Sequence, residues 1–438
     1  MSDHGALLRT ILDAPDDDAP RLVYADWLIQ RDDPRGELIQ LQCRLVATPD
    51  DERRRAIRIA ENKLLAAHVD AWTQPLRAAL PPETWPRYEF GFERGFVAHA
   101  TLTTSCLPFV PALCAVAPTL RSIKLVGGGN DEPVPAVAPD FGPVARGAIE
   151  RLEVGAAGGE AYARAVAAAP FTRLRELRFG GFGREAAAFP ELAHLMMRDA
   201  GLRALAASPH LATLVRLEVD GCGLTPDGVH AIATAAWRLD ALSLAWNVLN
   251  PGYTEALAGP ALARLASLCV SGAKHDAHDL ARLGTAFPAL RELDLERCQI
   301  GPAGMTALGA ALAVPLARLR VERNGLGDAG ALALAAAPAF ASLRSLEAGH
   351  NRIGHKGAVA IASSPHLAGL ERITLNEPRW KPETQALLAA SPTLANARVY
   401  LRGRLLAKAA RTTARAAAPA PKPAAKPTSR PKRAPKKR

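Results

Sequence analysis

Between residues 290 and 375 one short pattern of apolar and polar positions repeats. Leu290, Leu293, Leu295, Cys298 and Ile300 are followed by Leu316, Leu319, Val321, Asn324 and Leu326. Then come Leu343, Leu346, Ala348, Asn351 and Ile353, and last Leu370, Ile373 and Leu375. In each copy the apolar residues of the first half alternate with polar ones, which predicts a short strand with one buried face. A turn follows, then a helix start bracketed by glycines: Gly301 and Gly304, Gly327 and Gly330, Gly354 and Gly357. Residues rich in Ala and Leu come next, such as 305–312, and predict a closely packed helix. Traced in both directions, the first positions fall at Leu120, Ile149, Leu174, Leu214, Leu239, Leu265, Leu290, Leu316, Leu343 and Leu370, with Leu394 as a final candidate. From Leu214 onward the spacing averages about 26 residues. The gap after Leu120 holds Gly127, Gly128, Gly129 and a Pro-rich loop through Pro143, and the gap after Leu174 holds an insertion with Met196 and Met197.

This spacing, with Cys or Asn at the ninth place, resembles the leucine-rich repeat, and the strand-plus-helix rhythm is similar to its ribonuclease-inhibitor type. The resemblance implies an α/β solenoid shaped as a horseshoe, with a parallel sheet on the concave face and helices outside. No single unit can bury its own apolar face, so stability comes from stacking. The residues at the ninth place, among them Cys222, Asn247, Cys298, Asn324 and Asn351, are expected to hydrogen-bond backbone groups at the turn.

The N-terminal residues have a different period. Leu7, Leu8, Ile11 and Leu12 have helical spacing, and Asp16, Asp17 and Asp18 supply an N-cap and an acidic first turn for a second helix. Leu22, Ala25, Leu28 and Ile29 are expected to form its apolar face, and a third helix runs through Leu38, Ile39, Leu41 and Leu45. The run Arg21-Leu22-Val23-Tyr24-Ala25-Asp26-Trp27-Leu28, with Asp33-Pro34-Arg35-Gly36-Glu37 after it, resembles the bacterial repeat-companion domain of myxobacteria and planctomycetes. That resemblance covers about a tenth of the chain and implies architecture, not catalysis. Asp26, Trp27, Arg35 and Glu37 read either as a docking patch or as core, caps and ion pairs. A charged helix follows. Tyr88, Phe90, Phe92, Phe96 and Val97 around Gly91 and Gly95 then predict a β-ribbon that caps the open end of the stack.

In such a stack the residues between the buried strand positions form an exposed grid. Candidate partner-binding residues on it are Arg216, Glu218, Trp246, Glu292, Asp294, Arg318, Arg320, Glu347 and Arg372. Trp246 is expected to be exposed on or beside the grid, and Trp and Arg are favoured binding anchors. The competing reading is a solvated surface whose rows pair across strands.

Charge changes the picture only at the end of the chain. The formal net charge is +11, but residues 402–438 contain Lys and Arg without a single Asp or Glu, so the body is near neutral. After Leu406 the chain holds, proline aside, no apolar side chain larger than Ala, which predicts a disordered tail. Lys422, Lys426, Arg430, Lys432, Arg433, Lys436, Lys437 and Arg438 are its candidate contacts to a polyanion, giving weak non-specific nucleic-acid binding. The six cysteines form no C-x-x-C pair, and the N-terminus has no basic-then-apolar leader. These features suit a reducing, cytoplasmic protein, and no membrane span is expected.

Candidate chemistry is sparse. His275, Asp276, His278 and Asp279 make the one tight His/Asp cluster, which reads as a solvated helix cap before it reads as a metal site. Cys269 has no evident base beside it. No cofactor, metal or small-molecule substrate is expected. The expected organisation is a helical module over 1–47, a linking helix and β-ribbon over 48–118, a solenoid over 119–401 and a basic tail over 402–438. The expected function is a non-enzymatic scaffold that binds a protein on its concave face. The alternative is a nucleic-acid-associated protein anchored by its tail.

Overall fold

The computed structural model describes residues 3–48, 52–80, 88–126, 140–155, 159–180, 196–377, 380–401 and 404–407. The basic tail residues from Lys422 to Arg438 and the Gly127–Gly129 run lie outside these.

The chain begins with four helices: α1 (Asp3–Asp13), α2 (Asp18–Ile29), α3 (Arg35–Ala47) and α4 (Glu52–Ala78). Asp17 caps α2 as its sequence suggested, its side chain accepting from the amide of Ala19. The buried face of α2 differs from the expected one. Ala25 and Leu28 are buried, but Leu22 and Ile29 are 39% and 42% exposed, and Arg21 and Tyr24 take their places. The reason is a partner distant in sequence. Phe96 enters the core of Ile11, Tyr24, Ala25, Leu28, Ile39 and Cys43, and the Arg94 guanidinium reaches Asp18 at 2.9 Å.

Phe96 belongs to a hairpin of β1 (Glu89–Glu93) and β2 (Phe96–Thr103), the β-ribbon expected from the aromatic run. Its turn residues Arg94 and Gly95 have φ of 52° and 83°, the left-handed region that a two-residue hairpin turn needs. Buried Gln42 of α3 ties the junction: its Oε1 accepts from the amide of Gly95, and its Nε2 donates to Glu61 on α4 and to the carbonyl of Phe92.

Twelve more strands continue the sheet: β3 (Ser122–Val126), β4 (Arg151–Val154), β5 (Glu176–Gly180), β6 (Arg216–Asp220), β7 (Ala241–Ser243), β8 (Ser267–Cys269), β9 (Glu292–Asp294), β10 (Arg318–Arg320), β11 (Ser345–Glu347), β12 (Arg372–Thr374), β13 (Arg398–Leu401) and β14 (Arg404–Ala407). All fourteen lie in sequence order in one sheet. From β2 to β13 every pairing is parallel, and antiparallel hairpins close both ends. One buried residue per strand stays in register throughout, from Ala100, Ile123 and Leu152 to Leu346, Ile373 and Val399. This is the leucine-rich-repeat solenoid that the spacing predicted.

Nearly every return from strand to strand carries a helix, and successive helices pack on one another, as residues 277–285 do on 301–311 and these on 327–336. Helices need about 8–10 Å of width and strands about 4.8 Å, so the helical layer splays and the sheet lines the inside of a curve. One unit departs from the rhythm. Between β7 and β8 two 3-10 turns, Tyr253–Leu257 and Pro260–Leu262, replace the helix. Pro251, Gly252 and Pro260 punctuate this segment, and Gly252 has φ of 96°.

The last coil corrects the register. Val399, not Ala397, pairs with Ile373, so the eleventh copy starts two residues later than Leu394. Leu394 is buried all the same, as part of the turn that leads into β13. A single apolar cluster runs from Leu76 of α4 to Leu401, so the core is continuous along the stack.

Candidate functional site

The turn after each strand fixes the geometry of the face. At this turn Gly221, Trp246, Gly272, Arg297, Arg323 and His350 all have φ between 57° and 81°. Such a backbone turns its amides and carbonyls away from the sheet, and the ninth residue of each unit satisfies them. The Asn247 Oδ1 accepts from the amides of Cys222 and Leu224. The Asn324 Oδ1 accepts from Cys298, and the Asn351 Oδ1 accepts from Asn324. Their Nδ2 groups donate to carbonyls of the preceding coil, including Val219, Leu295 and Val321. Cys222 and Cys298 fill the same place with buried thiols, Cys298 lying 3.3 Å from the carbonyl of Val270. Glu377 ends the ladder: it stands one residue earlier in its unit, and its longer carboxylate accepts from the amides of Asn351 and Arg352. Burial raises its carboxyl above the usual range, against the pull of those amides.

On this frame the outward side chains form two rows. The first runs His99, Ser122, Arg151, Glu176, Arg216, Ala241, Ser267, Glu292, Arg318, Ser345, Arg372, Arg398. The second runs Thr101, Lys124, Glu153, Arg178, Glu218, Ser243, Cys269, Asp294, Arg320, Glu347, Thr374, Tyr400. Most charges meet an opposite one on the next strand. Lys124 lies 2.9 Å from Glu153, Arg151 3.3 Å from Glu176, Arg178 3.3 Å from Glu218 and Glu292 3.7 Å from Arg318. Pairs this exposed each contribute about 0–1 kcal/mol, so the rows fix a charge pattern more than they stabilise the fold.

The centre is different. Arg320 reaches Glu296 at 2.9 Å, Glu322 at 3.3 Å, Asp294 at 3.4 Å and Glu347 at 3.5 Å. Partial burial lowers its proton affinity, but the four carboxylates outweigh that and raise it overall. Asp294 is also part of the frame, since it accepts from the Ser271 hydroxyl and from the amide of Glu296. Asp220 likewise accepts from Ser243 and the amide of Ala245, and burial raises its carboxyl.

Of the nine residues singled out from the sequence, eight stand on the two rows. Trp246 does not. It occupies the left-handed turn position, half-buried at the edge of the sheet, its ring stacked over Gly272 and 6.0 Å from the Arg297 guanidinium. The grid position beside it belongs to buried Ala245. Sequence reasoning also started the grid at Arg216 and so missed Lys124, Arg151, Glu153, Glu176 and Arg178. Counting three and five places from Leu120, Ile149 and Leu174, less one, finds them, but the insertions hid that copies this far apart share one sheet.

The His/Asp cluster is a helix cap, as expected, with Asp276 and His278 exposed, His275 half-buried and Asp279 buried. Asp276 and Asp279 form a capping box on the helix Ala277–Thr285. Asp279, fully buried, also accepts from the amide of Gly252 and the hydroxyl of Thr254, so it anchors the irregular unit. His275 bonds the Tyr253 hydroxyl at 2.8 Å. Burial pushes its pKa down to about 4, although Asp279 and Asp276 act the other way. Among the described residues no group of three or more His, Cys, Asp and Glu could hold a metal ion. Burial raises the Cys269 thiol to about 11, which leaves it almost wholly protonated near neutral pH.

The His275 shift has a consequence for acid stability. Its folded pKa lies below the unfolded value of 6.5, so between about 6.5 and 4 the unfolded chain binds more protons. Stability therefore falls as pH drops through that window, by on the order of 3 kcal/mol in full. Urea midpoints measured from pH 7.5 to 4.5 are expected to show this slope, and His275→Gln to flatten it.

A sequence profile described as the leucine-rich repeat matches residues 210–233, 288–309, 315–335 and 341–362. Between the first two matches it passes over the unit with 3-10 turns and the unit after it. No curated protein matches the chain by sequence. Among solved structures the chain is similar to the crystal structure of the Rad7 and Elc1 complex in yeast, at 14% identity and a TM-score of 0.36, covering 70% of this chain and 74% of that one. It is also similar to the structure of a TLR13–ssRNA13 complex, at 15% identity and a TM-score of 0.36, covering 70% of this chain and 37% of that one. At these values neither likeness bears on function. Among the described residues no helix is long and apolar enough to cross a membrane.

Proposed function

We propose that this chain, built on leucine-rich repeats, is a non-enzymatic scaffold that holds a protein partner against the concave face of its sheet. One observation carries the reading: two unbroken rows of outward side chains, in register over twelve parallel strands, on a frame whose turns are hydrogen-bonded from coil to coil. Such a face is pre-organised, so a partner that matches its charges binds without the cost of ordering it. Glu292, Asp294, Arg318 and Arg320 stand at its centre, Arg216, Glu218, Glu347 and Arg372 flank them, and Trp246 lies at the rim. The helical module over 1–47 and the link over 48–118 serve in this reading as the N-terminal cap of a solenoid over 119–401. Six cysteines without a disulfide suit a reducing, cytoplasmic setting.

Affinity capture with the full chain tests this. Arg318→Glu is the better single probe, because Arg318 is 58% exposed and bonds one carboxylate, whereas Asp294 belongs to the frame. The expected result is loss of the captured partner with only a small drop in melting temperature. Retention of every partner counts against the reading.

The second reading, a nucleic-acid-associated protein, rests on the charge of the tail, in which Lys422, Lys426, Arg430, Lys432, Arg433, Lys436, Lys437 and Arg438 stand without an acid among them. Truncation after Ala407 should then abolish a salt-sensitive shift of DNA.

A further inference from the structure

We infer that the outer face of α2 is a docking site for a basic amphipathic helix of a partner protein, seated on Leu22, Val23 and Ile29 and held by Asp26, Asp32 and Glu37. The site belongs to the helical module, so its test succeeds or fails independently of the concave face.

Apolar residues of α2 fall on two faces, and the fold covers one. Tyr24, Ala25 and Leu28 turn inward with Arg21, into the core that Phe96 completes. Leu22, Asp26 and Ile29 follow one another on the other face at helical spacing, with Val23 beside them. Leu22, Val23 and Ile29 are 39%, 58% and 42% exposed. Among the described residues no other helix or strand exposes more than one large apolar side chain. Single exposed residues need no explanation, but three on two turns of one helix make a patch about 10 Å long. Its border is built by α3. Gly36 brings that helix so near that a Cβ there would stand 2.8 Å from the Ile29 Cγ1. One turn on, Gln40 donates to Asp26 at 3.0 Å.

Charge says what the patch fits. Residues 3–47 hold nine Asp and Glu against five Arg. Asp26 lies within the patch, Asp32 bonds the Ile29 carbonyl through its amide, and Glu37 follows Gly36. All three are exposed, and among the described residues none forms an ion pair. The arginines are mostly engaged elsewhere. Arg21 is buried, Arg31 lies 3.9 Å over the Trp27 ring, and Arg35 lies 5.6 Å over the Trp72 ring. Arg9 is exposed on α1, and Arg44, one turn beyond Gln40, is the exposed cation of α3. Trp27 and Arg35 are thus spent inside the module, whereas Asp26 and Glu37 remain on its surface. An aliphatic strip edged by carboxylates matches a helix with aliphatic anchors three or four places apart and Lys or Arg beside them. A second copy of this face, nucleic acid or an anionic membrane would bring like charge onto it.

The test uses the full chain and a fluorescein-labelled peptide of about eighteen residues, Leu on one helical face and Lys on the other, read by anisotropy. A peptide of the same composition, scrambled so that no apolar face forms, is the control. Leu22→Ser/Ile29→Ser is expected to weaken binding about tenfold or more. Asp32→Asn/Glu37→Gln is expected to weaken it about threefold or more and to flatten its dependence on salt. The scrambled peptide should bind about tenfold more weakly than the amphipathic one. Melting temperatures near the parent's are expected, since every substituted side chain is exposed. The inference is overturned by a parent chain that shows no saturable binding up to about 100 μM peptide. It is overturned equally by a Ser variant that binds like the parent, or by a scrambled peptide that binds as well as the amphipathic one. Sedimentation in which the parent dimerises and the Ser variant does not assigns the patch to a second copy, and overturns it too.

Discussion

Replacing Asn351 by Ala is expected to cost the C-terminal coils on the order of 3–5 kcal/mol. Asn351 is 0% exposed. Its Oδ1 accepts from the amide of Asn324 at 2.7 Å, and its Nδ2 donates to the carbonyls of Val321 at 2.8 Å and Ala348 at 2.9 Å. Alanine removes all three bonds, and water cannot replace them at this depth. Each buried group left without that partner costs about 1–3 kcal/mol. Because each coil contacts only its neighbours, the damage should stay local. Denaturation followed by hydrogen exchange should therefore show early loss of protection from β10 to β12, with the N-terminal helices unchanged. Asn351→Asp, which sets a carboxylate oxygen against the carbonyls of Val321 and Ala348, should cost at least as much. A loss below about 1 kcal/mol would mean that the ladder is incidental.

The second large effect is expected at Gly95. Its φ of 83° already disfavours any side chain, and a Cβ there would stand 2.0 Å from the Ile39 Cγ1 and 3.1 Å from the Ile39 Cα. Rotating the isoleucine relieves the first clash but not the second, so the hairpin must lift from α3. That movement breaks the 2.6 Å bond from the Gly95 amide to Gln42. Gly95→Ala should then cost about 2–4 kcal/mol and loosen the helical module from the first strands. Trp72 reports the change, since its ring lies 5.9 Å from that of Phe92 in the hairpin. Gly252→Ala is the control. Its φ of 96° is equally unfavourable, but open space surrounds it, so strain alone should cost about 1 kcal/mol.

Much of the fold can be read from the sequence because one physical constraint repeats in it. Every strand must bury the same face, so Leu293, Leu319 and Leu346 announce both the strand and its register. Where a contact is local, as in the Asp17 cap, or recurs at the repeat's own spacing, as in the Asn324 turn, the sequence is a good guide. It misleads where the decisive partner is distant. Leu22 and Ile29 have the spacing of a buried face, yet the hairpin, some seventy residues on, selects Arg21 and Tyr24 instead. Leu394 looks like the eleventh leucine, but backbone pairing with Ile373 sets the register at Val399. Glu377 breaks the asparagine pattern and was invisible as a ladder residue, although a longer side chain one place earlier reaches the same amides. For the concave face, the alternation of exposed positions is legible, whereas the pairing of their charges needs coordinates. Trp246 shows the limit: it stands three places beyond the strand, where the left-handed turn carries it to the rim.

The claim that the rows of charge form a recognition surface, and do not merely keep a sheet in water, is tested most directly by exchanging one cross-strand pair. Glu292 and Arg318 are 44% and 58% exposed and 3.7 Å apart. Glu292→Arg and Arg318→Glu, singly and together, should be compared for melting temperature and for capture of the partner. Each single variant leaves like charges opposite one another, a small penalty of about 0.2–1 kcal/mol that the double variant removes. The account predicts that the double variant melts like the parent yet still fails to capture the partner, because the pair is restored and the pattern is inverted. Full capture by the double variant would contradict it.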